Sequence, residues 1–593
     1  MVPQGNVFQN PWGNPPGRIF EKGALGKGLS QESPNPWLIQ IVFEMSEVQV
    51  LILKEGSTRS RGKDAQKNNI MAAKILAETV RSTIGPKGMD KMMVAGMGDI
   101  VITNDGATIM KEMDVQNPAA KMLVEVAKTQ DSEVGDGTTT AVVLAGELLA
   151  GAEALLDKDI HPNVIIDGYR NAAVKAQEIL DKIAINIKPD DQERLRQIAA
   201  TSLNTKGIFG SQSRFAELAV DAVRQVMEKT DGKITADIDL IKVIKKHGKS
   251  LDESELVNGI VIDKEVASAD MPKRVANGGI LLLNAKLESR KTETNAKINI
   301  DRPEDMFNFI NEQENLLEKM AEDIVNTGAK VLFTEKTVHD QILAILAKKG
   351  ILAVKNVSSG DMEKLAKATG GSVIGTLKDL SKGALGQAKL VEEVKTGDDK
   401  LVYVRDCKNP KAVTIMIRGG SEHVVDEAER SLHDAICVVR NAVEDGKILA
   451  GGGAPEAELA KRLKDYAVKV GGREQLAVRA FAEAFEAIPV AIAQNSGIDP
   501  IDIMVELRSK HNSAANLWYG VNVPTGKTAD MWKMKVLEPL RVKKQVIKSA
   551  VEVVTMLLRV DDVIASKSGG ASAGGPPGMP PGGMGGMGGL GMD

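Results

Sequence analysis

The sequence predicts a multidomain protein, mainly α-helical in one part and α/β in the others. Three observations predict it. The chain has 593 residues, more than one hydrophobic core organises, since single cores stop growing near about 250–300 residues. Hydrophobic residues make up 43% but aromatic ones only 3%, so the cores must be built from Ala, Val, Ile, Leu and Met, which suits packed helices and α/β layers. The pattern also changes along the chain: helical periodicity dominates towards both ends, and strands alternate with helices in the middle.

Residues 1–44 are rich in Gly, Pro, Asn and Trp, with one short apolar run from Trp37 to Phe43. That run has no basic segment close before it and no small-residue cleavage site, which makes it a poor signal peptide. The segment reads as a disordered extension. Residues 64–81 follow a helical period, with Met71, Ile75, Leu76 and Val80 on one side. The loop Thr83-Ile84-Gly85-Pro86-Lys87-Gly88 breaks that helix. Residues 99–103 read as a short strand turned by Asn104-Asp105-Gly106, a hairpin signal. Helices are expected over about 119–129 and 141–155.

Around 190–257 and again 412–449 helical and strand patterns alternate, and the stretch between them, 258–411, reads as α/β, with buried strands at 280–283 and 330–333. A further strand at 413–417 lies where the chain leaves this middle region. Beyond Gly451-Gly452-Gly453 come long Ala-rich helices, through Ile564. Residues 568–593 are low in complexity, with a Gly-Gly-Met repeat that cannot build a core and should be flexible. No repeat of solenoid length is visible.

Net charge is −4, spread along the chain, so there is no basic footprint for nucleic acid and no polybasic membrane patch. No apolar run is read as reaching the roughly 20 residues that span a bilayer. The two cysteines, Cys407 and Cys437, allow neither a disulfide framework nor a zinc site; two buried thiols in a reducing cytosol are expected.

Two segments imitate a Walker A loop, Gly248-Lys249-Ser250 and Gly526-Lys527-Thr528. That loop needs a glycine five positions before the second one, and Val243 and Val521 stand there. Both are rejected. Gly135-Asp136-Gly137-Thr138-Thr139-Thr140 is the better phosphate site. Its glycines let the backbone approach an anion, and its threonines open a helix whose unpaired amides and dipole favour negative charge. An acid between the glycines suits a bound Mg²⁺, a hard ion that takes carboxylate and phosphate oxygens. A plain glycine turn with a threonine N-cap explains the same residues. The 83–88 loop has a similar character, with two glycines and a cation. Asn104-Asp105-Gly106 by itself is a turn, Asp434 by itself a solvated helix acid, and His433 a surface residue.

Taken together, Gly85-Pro86-Lys87-Gly88-Met89-Asp90-Lys91, Thr103-Asn104-Asp105-Gly106-Ala107-Thr108, Gly135-Asp136-Gly137-Thr138-Thr139-Thr140, Gly451-Gly452-Gly453-Ala454-Pro455-Glu456 and Glu538-Pro539-Leu540-Arg541-Val542-Lys543 resemble the signatures of the group II chaperonins, in that family's order and spacing. The resemblance covers residue 45 to the C-terminus, and the Gly-Gly-Met tail looks like the archaeal thermosome type. The 44-residue head departs from the pattern.

The resemblance implies three domains. A mainly α equatorial domain (45–189 and 450–567) would hold ATP; an α/β intermediate domain (190–257 and 412–449) would be a hinge; an α/β apical domain (258–411) would bind clients and carry a helical lid protrusion at about 297–324. It implies nucleotide contacts from Gly85, Pro86, Lys87, Gly88, Gly106, Gly137, Thr138, Thr139, Thr140, Gly452 and Glu538, the last at the ribose. Asp136 would ligate Mg²⁺, Asp105 would position the attacking water, Asp434 would be the general base, and Lys206 would sense the γ-phosphate. On the lid helix, expected over 303–320, Met306, Phe307, Phe309 and Ile310 suit a surface that meets a neighbour or client, although an ordinary amphipathic helix would look the same. The implied partners are unfolded proteins and like subunits, identical or not, in two stacked rings of eight in the cytoplasm. Rival classes are a small-molecule ATPase or kinase, which would need a compact polar substrate pocket, and a scaffold that binds ATP without hydrolysing it.

Overall fold

Three large hydrophobic cores organise the chain in the computed structural model, which describes residues 57–94, 98, 100–206, 210–230, 232–288, 303–396, 399–407 and 411–566. Nearly all of these fall in one compact unit, Arg59–Ala565. The expected head extension at 1–44 and the tail at 568–593 lie outside the described residues.

The first core draws on two distant stretches of chain, from Ile70 to Ile183 and from Leu449 to Leu558. Its centre is the helix Thr138–Leu156, in which Ala141, Val142, Leu148, Leu149 and Ala152 are buried. This corrects the expectation that no apolar segment reaches membrane-spanning length. The helix has 19 residues and a mean hydropathy of 1.5, enough by length and composition alone. A helix apolar on most of its circumference is equally what the middle of a helical core requires, and here Gly62–Arg81, Pro118–Val134, Glu474–Ala484 and Leu540–Leu558 pack around it.

The second core combines residues between Ile187 and Ile241 with residues between Val413 and Ile448, and Val134, Leu537 and Val542 join it at the seam with the first. Its scaffold is a three-stranded sheet. Val413–Gly419 pairs in parallel with Ile241–His247 and antiparallel with Glu255–Val257, and the helix Glu422–Asp445 packs against it.

The third core lies between Ile260 and Ala412. Its seven-stranded sheet runs in the order Leu352–Val354, Val331–Thr334, Arg274–Leu283, Gly386–Thr396, Asp399–Cys407, Gly259–Ile262, with Val373–Ile374 also paired to Arg274–Leu283. The parallel-paired stretches Ile280–Leu283, Val331–Thr334 and Leu352–Val354 read as continuous apolar runs because both faces are covered. The helix Pro303–Asn326 is six residues longer at its C-terminal end than expected; there Leu317, Ala321 and Ile324 are buried in this core.

One local expectation is overturned. Asn104-Asp105-Gly106 is not the hairpin turn. The hairpin closes earlier, where Lys91–Val94 pairs with Ile100–Thr103, and Asp105 instead caps the helix Gly106–Glu112. Asp before Gly suits both devices, because a short acceptor side chain can complete a tight turn or bond a helix's free amides. Neither rejected Walker-like segment opens an α-helix as a phosphate loop would: Gly248 follows the strand Ile241–His247 and bridges Gly419, donating to its O at 3.0 Å, and Gly526 ends the turn before the strand Lys527–Asp530. Cys407 and Cys437 are both buried and free, and burial pushes the Cys437 thiol up to about 12.

Candidate functional site

Two helix N-termini face each other at the seam of the first and second cores. Asp105 caps one. Its Oδ2 accepts from the Thr108 backbone N–H and from Thr108 Oγ1, both at 2.8 Å, and its own N–H donates to Thr103 Oγ1 at 3.1 Å. Gly106 lets the other helix approach, since a Cβ there would stand 2.5 Å from Thr139 Oγ1 and 2.8 Å from the Thr139 nitrogen.

The other terminus begins where Pro118–Val134 ends. Gly135 closes that helix in the left-handed region at φ 71°, as helix-terminating glycines do, and a Cβ on it would overlap the Cys437 side chain. Gly137, also left-handed at φ 78°, precedes Thr138–Leu156 and offers its amides no side-chain cap. The threonine N-cap considered from the sequence is therefore not what the structure holds: the threonines form the helix's first turn, and its free N–H groups are left for another acceptor. Asp136 folds back, its Oδ1 accepting from the Gly137 N–H at 2.6 Å, and Gln130 Nε2 donates to the Asp136 carbonyl at 2.9 Å. Thr138 Oγ1 donates to Asp105 Oδ1 at 3.3 Å, joining the two termini.

The second core delivers a cation and an acid to this junction. Lys206 follows the helix Gln192–Leu203, and Asn104 Nδ2 donates to Thr205 O at 2.7 Å, tying that end to the first core. Asp434 lies on the inward face of Glu422–Asp445, beside Leu432, Ala435 and Val438, and is only 5% exposed. Lys206 Nζ sits 2.8 Å from Asp434 Oδ2 and 3.7 Å from Asp105 Oδ1. Burial opposes charge on all three groups. For Lys206 the attraction of Asp434, Asp105 and Asp136 overcomes it and the ammonium is held above its ordinary range. For Asp105, Lys206 and the Thr108 bonds outweigh burial and hold the carboxyl below its usual value. For Asp434 burial wins, with help from the Asp105 and Asp136 charges, and the carboxyl sits well above the usual range despite Lys206.

The opposite wall comes from the chain's return into the first core. Leu537–Pro539 pairs with Lys447–Ala450, placing Glu538 beside Gly451, where a Cβ would collide with Glu538 Oε1. Between these walls is a cavity of about 550 Å³. Of the residues singled out from the sequence, Gly85, Pro86, Asp136, Gly137, Thr138, Thr139, Thr140, Lys206, Gly452 and Glu538 line it. Asp105, Gly106 and Asp434 are not among its lining residues, although Asp105 and Asp434 both reach the lining Lys206. Lys87 is exposed and Gly88 half-buried, and neither lines the cavity; Gly88 closes the tight turn with Gly85, its N–H donating to Gly85 O at 2.9 Å. Sequence reasoning missed Thr83, Asn104, Ser202, Asn522 and Lys543 as lining residues. Thr83, Asn104 and Lys543 lie inside the sequence motifs, while Ser202 and Asn522 carry no local signal.

The lining fits a magnesium–nucleotide ligand, with hydroxyls and helix-start amides for phosphate oxygens and amide oxygens that can accept from a hydroxyl, an amine or a metal-bound water. Asn104 Oδ1, Ser202 Oγ and Asn522 Oδ1 are buried without a partner, and all three residues line the cavity. Among the described residues no three His, Cys, Asp or Glu side chains are grouped to hold a metal. A closed metal site is thus not built from these residues, whereas Mg²⁺ is ordinarily held by one or two carboxylates plus phosphate oxygens, and Asp136 is a carboxylate that lines the cavity beside the glycine turn.

Two of the exposed apolar groups on Pro303–Asn326 are those expected on the lid: Phe307 is 68% and Ile310 41% exposed. The side chains of Met306 and Phe309, and residues 297–302 of the expected protrusion, lie outside the described residues.

A helical core and α/β cores meeting at such a cavity define a chain of mixed helical and α/β architecture with a nucleotide-sized cavity at their seam. The chain belongs to the TCP-1/cpn60 chaperonin family, whose model matches residues 76–568. It is 55% identical to the thermosome subunit beta of Archaeoglobus fulgidus over 90% of this chain and 98% of that one, 57% identical to the thermosome subunit alpha of the same organism over 87% and 95%, and 56% identical to the thermosome subunit of Methanopyrus kandleri over 88% and 95%. It is a group II chaperonin, a molecular chaperone.

Proposed function

We propose that the chain hydrolyses ATP to close a double-ring cage, eight like subunits to a ring, over unfolded proteins in the cytoplasm. In this reading the first core is the equatorial domain (45–189 and 450–567), the second the intermediate hinge (190–257 and 412–449), and the third the apical domain (258–411), whose Met306, Phe307, Phe309 and Ile310 meet clients or neighbouring lids. The observation that carries it is the meeting of Asp434, from the long helix of the second core, with Asp105, from the first, at the single cation Lys206.

The triphosphate would take the free amides at the start of Thr138–Leu156, whose dipole favours negative charge there, with Thr138, Thr139 and Thr140 donating from their hydroxyls. The turn at Gly85, Pro86, Lys87 and Gly88 would border the same ligand, Gly106 would admit the threonine turn, and Gly452 and Glu538 would hold the nucleoside. Asp136 would hold Mg²⁺, which when bound offsets phosphate charge and orients the transferring group. Asp105, fixed by Thr108, would orient the attacking water. Asp434 would take its proton at a carboxylate oxygen; a base displaced above the ordinary carboxylate range is better matched to that transfer near neutral pH. Because Asp434 rides on the second core, chemistry would require that core to be seated against the first, which couples hydrolysis to closure. Lys206 would exchange the two aspartates for the γ-phosphate.

The test is Asp434→Ala. It should bind ATP and keep its ring, seen as near-megadalton mass by size exclusion, while hydrolysis falls by about 10²–10⁴-fold. Wild-type turnover in that variant would end the assignment.

A further inference from the structure

Behind the nucleoside wall lies a charge cluster that the mechanism above does not use. Lys543, in the first turns of Leu540–Leu558, is half-buried, and its Nζ sits 2.5 Å from Glu538 Oε2 and 2.8 Å from Glu456 Oε1. Glu456 opens the helix Ala454–Val470 directly after the three-glycine turn and is 3% exposed. Its second oxygen, Oε2, is buried without a partner. Glu538 is the half-buried member and the carboxylate of the pair that lines the cavity.

A largely desolvated ammonium held by two carboxylates is weak evidence for stability. Its geometric effect is definite. A glutamate side chain on a strand has three rotatable bonds. Here Lys543 fixes Glu538 Oε2 from one side, and Gly451, having no Cβ, admits Oε1 on the other. The carboxylate is locked before any ligand arrives, so its ordering cost is not charged to binding. The cation also opposes protonation: burial and the Glu456 charge push the Glu538 carboxyl up, and Lys543 offsets only part of this, leaving it above the ordinary value.

We propose that Lys543, anchored from behind by Glu456, is a positioning residue that holds Glu538 as an oriented acceptor for the vicinal hydroxyls of a ribose, and so makes this pocket select ribonucleotides over 2′-deoxyribonucleotides. The proposal rests on the reading of the cavity as an ATP site with Glu538 at the sugar. A site built to bond a hydroxyl rejects the analogue lacking it because its own polar group is left unpaired.

The experiment measures KM and kcat for Mg-ATP and Mg-2′-deoxy-ATP on the assembled full chain. The wild type should prefer ATP in KM by about tenfold, the equivalent of one well-made hydrogen bond. Lys543→Met should raise KM for ATP more than for 2′-deoxy-ATP, which has only the 3′-hydroxyl contact to lose, and keep kcat within about threefold, collapsing the preference. Glu538→Gln should lose the same preference, and the combined variant should lose no more than either, because the two act through one contact. Where Lys543→Met alone does not assemble, Lys543→Met/Glu456→Gln removes a buried carboxylate along with the cation and gives the same reading. A merely structural lysine would lower thermal stability and affect both nucleotides alike; an intact preference in the Lys543 variants overturns the proposal, as does a wild type that hydrolyses both nucleotides without distinction. A wild type that hydrolyses neither would instead overturn the ATP reading itself.

Discussion

Lys206 and Asp434 belong to the two separate stretches of chain that build the second core, and they meet at 2.8 Å with both side chains buried. The third partner, Asp105, comes from the first core and stands 3.7 Å from the same nitrogen. Two anions thus share one cation at the seam. Removing the cation strands both acids in a place where neither is well hydrated.

Lys206→Met should therefore destabilise the chain by about 3–5 kcal/mol, the usual cost of leaving a buried charge unpaired. Lys206→Met/Asp434→Asn should recover a substantial part of that, since one stranded carboxylate is gone. Chemical denaturation of the single and double variants checks this; additive losses would mean that the two side chains are not energetically coupled.

Much of this cradle was legible locally. Gly135 and Gly137 adopt left-handed backbone, and a glycine–acid–glycine–threonine run says as much without coordinates. What local sequence could not carry was long-range pairing. Asp434 looks like any solvated helix acid until Lys206 is folded against it, and Lys543 looks like a surface lysine until Glu456 and Glu538 enclose it. The misread Asn104-Asp105-Gly106 fails for the opposite reason: the same three residues satisfy two local rules, and the contact of Gly106 with Thr139 decides between them. The Thr138–Leu156 helix was underrated because Glu147, bonded to Arg81 at 2.9 Å, and Gly146 and Gly151 break its apolar run on paper without breaking the buried face.

Gly106→Ala tests that contact. The added carbon would stand 2.5 Å from Thr139 Oγ1 and 2.8 Å from the Thr139 backbone nitrogen, so one helix start must retreat from the other. Nucleotide affinity should fall about tenfold or more while the helical content of the chain is kept, with overpacking costing about 1–3 kcal/mol of stability. Truncating Thr139 to Ala in the same chain should relieve only part of the loss, because the backbone nitrogen remains in the way. Isothermal titration with a non-hydrolysable ATP analogue reads both variants.

The pH dependence follows from the signs of the shifts. As the proposed base, Asp434 would have to be ionised to accept a proton, and its carboxyl sits well above the usual range because burial disfavours the charge. Hydrolysis should rise with pH through an apparent pKa above that of an ordinary aspartate. Lys206 lowers that value, so Lys206→Met should move the acid limb of its residual activity to higher pH. For stability the two aspartates act oppositely. Asp105, held low, adds stability above the unfolded aspartate pKa, and that is lost as pH falls through its lower folded value. Asp434, held high, subtracts stability as pH rises from the unfolded value to its own. A pH–rate profile with its limb at the ordinary carboxylate position would contradict the burial of Asp434 in the working state.

The helix Pro303–Asn326, proposed as the lid, is packed at one end and exposed at the other. Leu317, Ala321 and Ile324 are buried in the third core, while Phe307 and Ile310 stand 68% and 41% exposed a few turns earlier on the same helix. Substituting an exposed side chain changes stability by at most about 0.5 kcal/mol, so Phe307→Ser/Ile310→Ser should melt like the wild type and hydrolyse ATP at an unchanged rate. What it should lose is hold on apolar surface. An unfolded protein that aggregates on dilution should be arrested by the wild type and by a control, Val468→Ser, which removes an equally exposed apolar group on the Ala454–Val470 helix of the first core. The lid variant should let it aggregate. Light scattering after dilution gives the answer, and equal protection by all three proteins would return Phe307 and Ile310 to the status of ordinary surface residues, with client binding to be sought elsewhere on the third core.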